Sequence, residues 1–260
     1  MNEWISNSIK IANSTGYLDR LQEVYPVVQE TEREIDPEIQ KELQQSYMAA
    51  DDITLIRKLL RLPKFPINDP YVAFFRKNDI FLEYNPQTAK RIAMQIRAMG
   101  FEAMIKGIRE PKVVTKKFGQ LFKRWIQKIG YPILAETEFE AYDKGIVFLQ
   151  GGDAKLSDFA NRRLGCDLDK GIDFLVKAGE IYLIGEAKFL TDYGGAQNAN
   201  FQVALRFLRD KKGKAIRIAV LDGVIWIKAR TTMYRTICEL EDTALTSLLL
   251  KRFLQSLKRG

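Results

Sequence analysis

Ile172-Asp173-Phe174-Leu175-Val176 and Ile181-Tyr182-Leu183-Ile184-Gly185-Glu186-Ala187-Lys188 decide the fold, with Lys177 to Glu180 between them. Both runs are rich in β-branched and aromatic residues, and the connection contains Gly179. That pattern predicts a hairpin at the centre of a sheet. Upstream, residues 114–129 carry Phe118, Leu121, Phe122, Trp125 and Ile129 at helical spacing, closed by Gly130 and Pro132. Between that helix and the hairpin, 137–142 and 146–150 read as short extended segments. Downstream, a helix is expected over 196–210 and a strand over 215–221. Asp222-Gly223 reads as a two-residue turn into a further strand at 224–227, and a helix over 242–257 follows. Strands interleaved with helices predict an α/β fold, a mixed central β-sheet flanked by helices.

The first hundred residues read as mainly helical. Asp36-Pro37-Glu38 is an N-cap followed by proline at the first helical position. Asp51 or Asp52 caps a second helix with Ile53, Ile56, Leu59 and Leu60 at helical spacing, and Asn85-Pro86 opens a third that ends at Gly100. The expected division is a helical region at 1–110, for DNA binding or dimerisation, and a catalytic domain at 111–260.

Composition removes several chemistries. The 260-residue chain has no histidine and two cysteines, Cys166 and Cys238. Serine–histidine and cysteine–histidine catalysis, histidine-based zinc proteases and histidine-base nucleases are therefore excluded. Hydrolysis would have to run on carboxylates, lysine and a hard cation such as Mg2+. The net charge of +8 favours a polyanionic partner, with nucleic acid the commonest. No apolar run is long enough for a membrane span and the first residues lack the pattern of a secretory signal, so the expected location is the cytoplasm with no membrane partner.

The chemistry is expected at Asp173, Glu186 and Lys188. Alternate residues of a strand share a face, so Glu186 and Lys188 point the same way. Asp173, on the neighbouring strand, can lie across from them. Two adjacent carboxylates repel unless a cation lies between them, and Mg2+ accepts such ligands. Asp173, Glu186 and the Ala187 carbonyl are the candidate metal ligands. Lys188 is the candidate to orient the attacking water or to stabilise transition-state charge.

Asp173…Glu186-Ala187-Lys188 resembles the signature of the PD-(D/E)xK nucleases, which include most type II restriction enzymes. The likeness spans about residues 112–228, and Ile172 stands where that family carries proline. It implies a restriction-endonuclease-like core, site-specific hydrolysis of double-stranded DNA and a companion DNA methyltransferase. Gln197-Asn198-Ala199 resembles, over a few residues, the base-reading segment of EcoRI-like restriction enzymes. Asn and Gln suit adenine in the major groove, so Gln197, Asn198, Asn200 and Gln202 are candidate DNA contacts. The likeness also directs attention to Gln120 on the upstream helix, where Lys116, Lys117, Lys123, Arg124 and Lys128 are available to phosphates. A homodimer follows from one site per strand and the two-fold symmetry of palindromic sequences.

Duller readings stand beside these. Asp173 and Lys188 could form a structural ion pair without a metal. Asp167 and Asp169 fall in a turn that they would cap, and Glu138 and Glu140 read as strand surface. The rival functions are a structure-specific repair or junction nuclease of the same fold and a DNA-binding protein without catalysis.

Overall fold

The computed structural model describes residues 2–26, 32–110 and 118–257. It divides into two compact units, Met1–Val27 with Val114–Gly260, and Val28–Val113. The units part at residue 113, close to the expected 110, and residues 1–27 group with the sheet unit rather than with the helical region. The chain opens with α1 (Glu3–Ala12) and α2 (Tyr17–Val24), whose Ile5, Ile9, Tyr17, Leu21 and Val24 are buried in the core of the sheet unit.

The helical unit consists of α3 (Pro37–Met48), α4 (Asp52–Arg61), α5 (Val72–Lys77), α6 (Phe81–Tyr84), α7 (Pro86–Met99) and α8 (Phe101–Arg109). Its first two helices begin as the caps dictate. Asp36 accepts the Glu38 N–H at 2.8 Å and Asp51 accepts the Thr54 N–H at 3.1 Å. Leu43, Leu55, Ile56, Leu59, Ile92, Ile96 and Ile105 close a core of their own, formed by the apolar stripes of amphipathic helices.

The sheet unit continues with α9 (Phe118–Ile126), β1 (Ile133–Leu134), α10 (Glu136–Ala141), β2 (Ile146–Leu149), α11 (Asp153–Leu164), β3 (Phe174–Ala178) and β4 (Ile181–Leu190). Then come α12 (Gly195–Arg209), β5 (Ile216–Gly223), a 3-10 turn at Val224–Trp226, α13 (Thr232–Glu239), β6 (Ala244–Leu245) and α14 (Ser247–Ser256). The six strands lie in the order β1-β2-β3-β4-β5-β6. Pairings β2–β3 and β3–β4 are antiparallel, whereas β1–β2, β4–β5 and β5–β6 are parallel. The α12 crossover makes β4 and β5 parallel, as a helix between paired strands does. The expected α/β fold with a mixed, helix-flanked sheet is the fold found.

Alternation in the central hairpin sorts its side chains between two layers. Phe174, Val176, Leu183 and Ala187 join the larger core with α9 and α12. Leu175, Tyr182 and Ile184 face the other way, towards α10 and α11. Asp173, Glu186 and Lys188 fall in the second register, and all three therefore share a face.

Three expected elements differ. Of residues 137–142, read as extended, all but Tyr142 lie in α10, because burying Phe139 alone satisfies the segment and Glu136 and Glu138 suit a helix start. Asp222-Gly223 is not a hairpin turn. Asp222 is fully buried at the end of β5, and the chain passes into the 3-10 turn. The last helix starts at Ser247, not 242, because Ala244–Leu245 pairs with β5. The helix expected over 114–129 is described from Phe118 to Ile126, and 111–117 lie outside the described residues.

Candidate active site

β3 and β4 are built to deliver one carboxylate to the end of a ladder. Phe174 pairs with Gly185, and a Cβ on Gly185 would fall 1.9 Å from the Phe174 ring. Only glycine admits that ring, which packs near Phe122 of α9 at 5.8 Å between centroids. One residue before β3, the Asp173 N–H donates to the Gly185 carbonyl at 3.0 Å. The Asp173 Oδ2 accepts the Ala187 N–H at 2.8 Å. The carboxylate thus takes over the ladder where β3 stops.

Lys188 Nζ lies 3.9 Å from Asp173 Oδ2 and in direct contact with Glu186 Oε1. The expected trio is therefore assembled. Burial pushes both carboxyls above the usual carboxylate range, and each is raised further by a neighbouring acid. The Ala187 N–H and the Lys188 ammonium pull Asp173 back, and Lys188 does the same for Glu186. One ammonium faces two carboxylates. At about 4 Å and an effective dielectric of about 20, a unit pair attracts by about 4 kcal/mol, so Lys188 offsets roughly one of them. A plain structural ion pair leaves the other half-buried and uncompensated, which is costly.

A cleft of about 270 Å³ opens beside this trio, lined by Phe118, Gly119, Asp173, Ala187, Lys188, Phe189, Thr191, Gln197 and Asn200. It gathers two of the five amide candidates, Gln197 and Asn200. Gln197, in the first turn of α12, holds a buried Oε1 with no hydrogen-bond partner. Asn198 and Gln202 are exposed on α12 and do not line the cleft, and the same holds for Gln120 on α9. Arg124 and Lys128 are exposed, and Lys123 is half-buried. Lys116 and Lys117 lie outside the described residues.

A family model of the Tsp45I type II restriction enzyme matches residues 2–257, almost the whole chain. The chain belongs to that family. It is a type II restriction enzyme by descent. No curated protein and no solved structure shows a significant match to it.

In this restriction enzyme the duller acids stay apart from the cleft. Asp167 pairs with Lys212, and Asp167 and Asp169 line a separate cavity of about 210 Å³ that Glu186 also borders. Glu140, on α10, pairs with Arg163 at 3.1 Å. Sequence reasoning missed Asp153. It follows Gly151-Gly152, a pair that reads as a simple turn, yet it opens α11 and its charge raises both Asp173 and Glu186. The only sequence signal was an acid at a helix start, a feature with many structural explanations.

The donor set fits a hard divalent cation. Both carboxylates supply oxygen, the ligand type that Mg2+ selects. Among the described residues no three Asp, Glu, His or Cys side chains converge as a protein-only metal cage. No helix among the described residues is long and apolar enough to cross a membrane.

Proposed function

We propose that this restriction enzyme hydrolyses phosphodiester bonds in double-stranded DNA at a specific sequence, with Mg2+ as cofactor and Asp173, Glu186 and Lys188 as its catalytic residues. The observation that carries the reading is one ammonium, that of Lys188, shared by a buried Glu186 and a half-buried Asp173, with Asp173 and Lys188 lining a polar cleft. A buried arrangement of that kind is expensive as a scaffold and useful as a site.

Asp173 and Glu186, with the Ala187 carbonyl, would hold the cation. When bound, Mg2+ polarises a phosphate oxygen and makes water a better nucleophile. Lys188 keeps its ammonium between the carboxylates, where it can orient the attacking water and meet the charge that grows on phosphorus oxygens. Asp173 is fixed by its bond to the Ala187 N–H, so the site is set by the strands rather than by a loop. Gln197 and Asn200 line the same cleft and would touch nucleotides beside the cut. Lys116, Lys117, Arg124 and Lys128 serve phosphates farther along the duplex, with Gln120, Asn198 and Gln202 as base readers.

Cutting both strands calls for two such sites, so the working enzyme is a homodimer. Its host DNA is guarded by a companion methyltransferase, and the cytoplasm is where both meet DNA. The reading is tested by incubating the purified protein with unmethylated phage DNA in Mg2+ and in EDTA, then sequencing the ends. Discrete Mg2+-dependent fragments with one shared terminal sequence support it. A smear, or cutting confined to branched DNA, contradicts it.

A further inference from the structure

We propose that Lys123 is a phosphate-binding residue of the cleavage site itself, and that Asp153 is its positioning partner. Lys123 Nζ contacts Asp153 Oδ1. The proposal rests on the endonuclease reading and adds a second charged couple to it.

Both members are pinned to the residues that carry the site. The Asp153 carbonyl accepts the Ile172 N–H at 3.3 Å, and a Cβ on Gly171 would lie 2.4 Å from the Asp153 Cβ. The start of α11 is therefore locked against the two residues that precede Asp173. On the other side, Phe118 stacks on Phe189 at 4.0 Å between ring centroids, and Phe122 is buried near Phe174. Phe189 follows Lys188 and Phe174 follows Asp173, so α9 is fastened to the chain neighbours of both. Lys123 leaves α9 immediately after the second of these anchors. Its charge and that of Asp153 are both felt at Asp173.

The couple is poised to exchange partners. The two side chains are 37% and 51% exposed, and such a pair contributes about 0–1 kcal/mol. Little opposes transfer of the ammonium from carboxylate to phosphate. Without that transfer, a DNA phosphate approaching Asp173 meets three carboxylates and finds one lysine already occupied by two of them. Asp153 holds the ammonium of Lys123, which stands one helical turn from Gly119 in the cleft wall.

The test measures DNA affinity against salt concentration in EDTA, using the cleaved sequence as a duplex and a Lys188→Ala parent that cannot cut. Adding Lys123→Ala should weaken binding and flatten the slope of log K against log salt by about 0.9, the signature of one lost phosphate contact. Lys123→Arg should keep the slope. Asp153→Asn should tighten binding by up to about fivefold, because the competing pair is gone. That gain should vanish when Lys123→Ala is also present. With Lys188 restored, Asp153→Asn should cut at least tenfold more slowly despite binding more tightly, a split that loss of fold alone does not give. An unchanged slope in Lys123→Ala, or an Asp153→Asn gain that survives without Lys123, overturns the proposal while leaving the endonuclease intact. A parent that fails to bind DNA at all overturns both.

Discussion

Asp173 is the residue whose environment says most. Burial holds its carboxyl and that of Glu186 above the usual range, so both bind protons more tightly in the folded chain than in the unfolded one. Their contribution to stability is then fully present below the unfolded-state value of about 4 and is lost as pH rises through the higher folded value. Asp173→Asn removes one such loss and can still accept the Ala187 N–H. The metal-free variant should melt at or above the wild-type temperature at about pH 8, with the difference shrinking towards pH 4. Protons and cation compete for the same oxygens, so Mg2+ should raise the wild-type melting temperature more at high pH than at low. It should leave Asp173→Asn nearly unmoved, and an equal Mg2+ shift in both proteins would count against Asp173 as a ligand. At this scale the sequence was most legible where alternation did the work, because period-two geometry places Glu186 and Lys188 on one face whatever surrounds them. Asp153 was not legible, since its importance comes from Gly171 and Ile172 packing against it across an intervening helix.

At the scale of elements, two contacts hold the sheet in working register. Gly185 makes room for Phe174, and Gly185→Ala would drive a methyl group into the ring. Overpacking of this kind costs about 1–3 kcal/mol. Because Phe174 adjoins Asp173, cleavage should fall by more than the loss of folded protein explains. Denaturant unfolding beside single-turnover cutting separates the two. The second contact is Asp222, fully buried at the end of β5. It accepts the Tyr25 hydroxyl at 2.7 Å, the Thr246 hydroxyl at 2.5 Å and the Ser247 N–H at 3.1 Å. One carboxylate therefore ties the chain after α2 to the first turn of α14. Asp222→Ala leaves those donors without a partner and should cost about 3 kcal/mol or more in denaturant unfolding, while Asp222→Asn should cost less. A loss under 1 kcal/mol would show that water replaces the carboxylate. These long-range ties also explain the misread turn at Asp222-Gly223. An Asp-Gly pair signals a hairpin on local grounds, and only partners about 25 and 200 residues away along the chain overrule it.

Across the whole molecule, charge is unevenly spread. The helical unit Val28–Val113 holds 14 basic and 13 acidic residues, so nearly all of the +8 excess belongs to the unit that carries the sheet. The polyanion should therefore be gripped mainly by that unit, through α9 and the start of α12. The near-neutral helical unit exposes Tyr71, Phe74, Phe81 and Tyr84. Sedimentation on DNA should report twice the chain mass if the enzyme works as a homodimer, and a monomer that only nicks one strand would refute that state. The α/β class was readable because hydrophobic period and turn residues repeat locally. The assignment of α1 and α2 to the sheet unit was not, because nothing near residue 20 announces a core more than a hundred residues downstream. The most direct measurement is single-turnover cleavage of a duplex carrying the recognised sequence, by wild type and by Asp173→Asn, Glu186→Gln and Lys188→Ala, with binding measured alongside. The account predicts that each variant still binds the duplex while Mg2+-dependent cutting falls by at least about a hundredfold. Cutting at near wild-type rate by any of the three would contradict it.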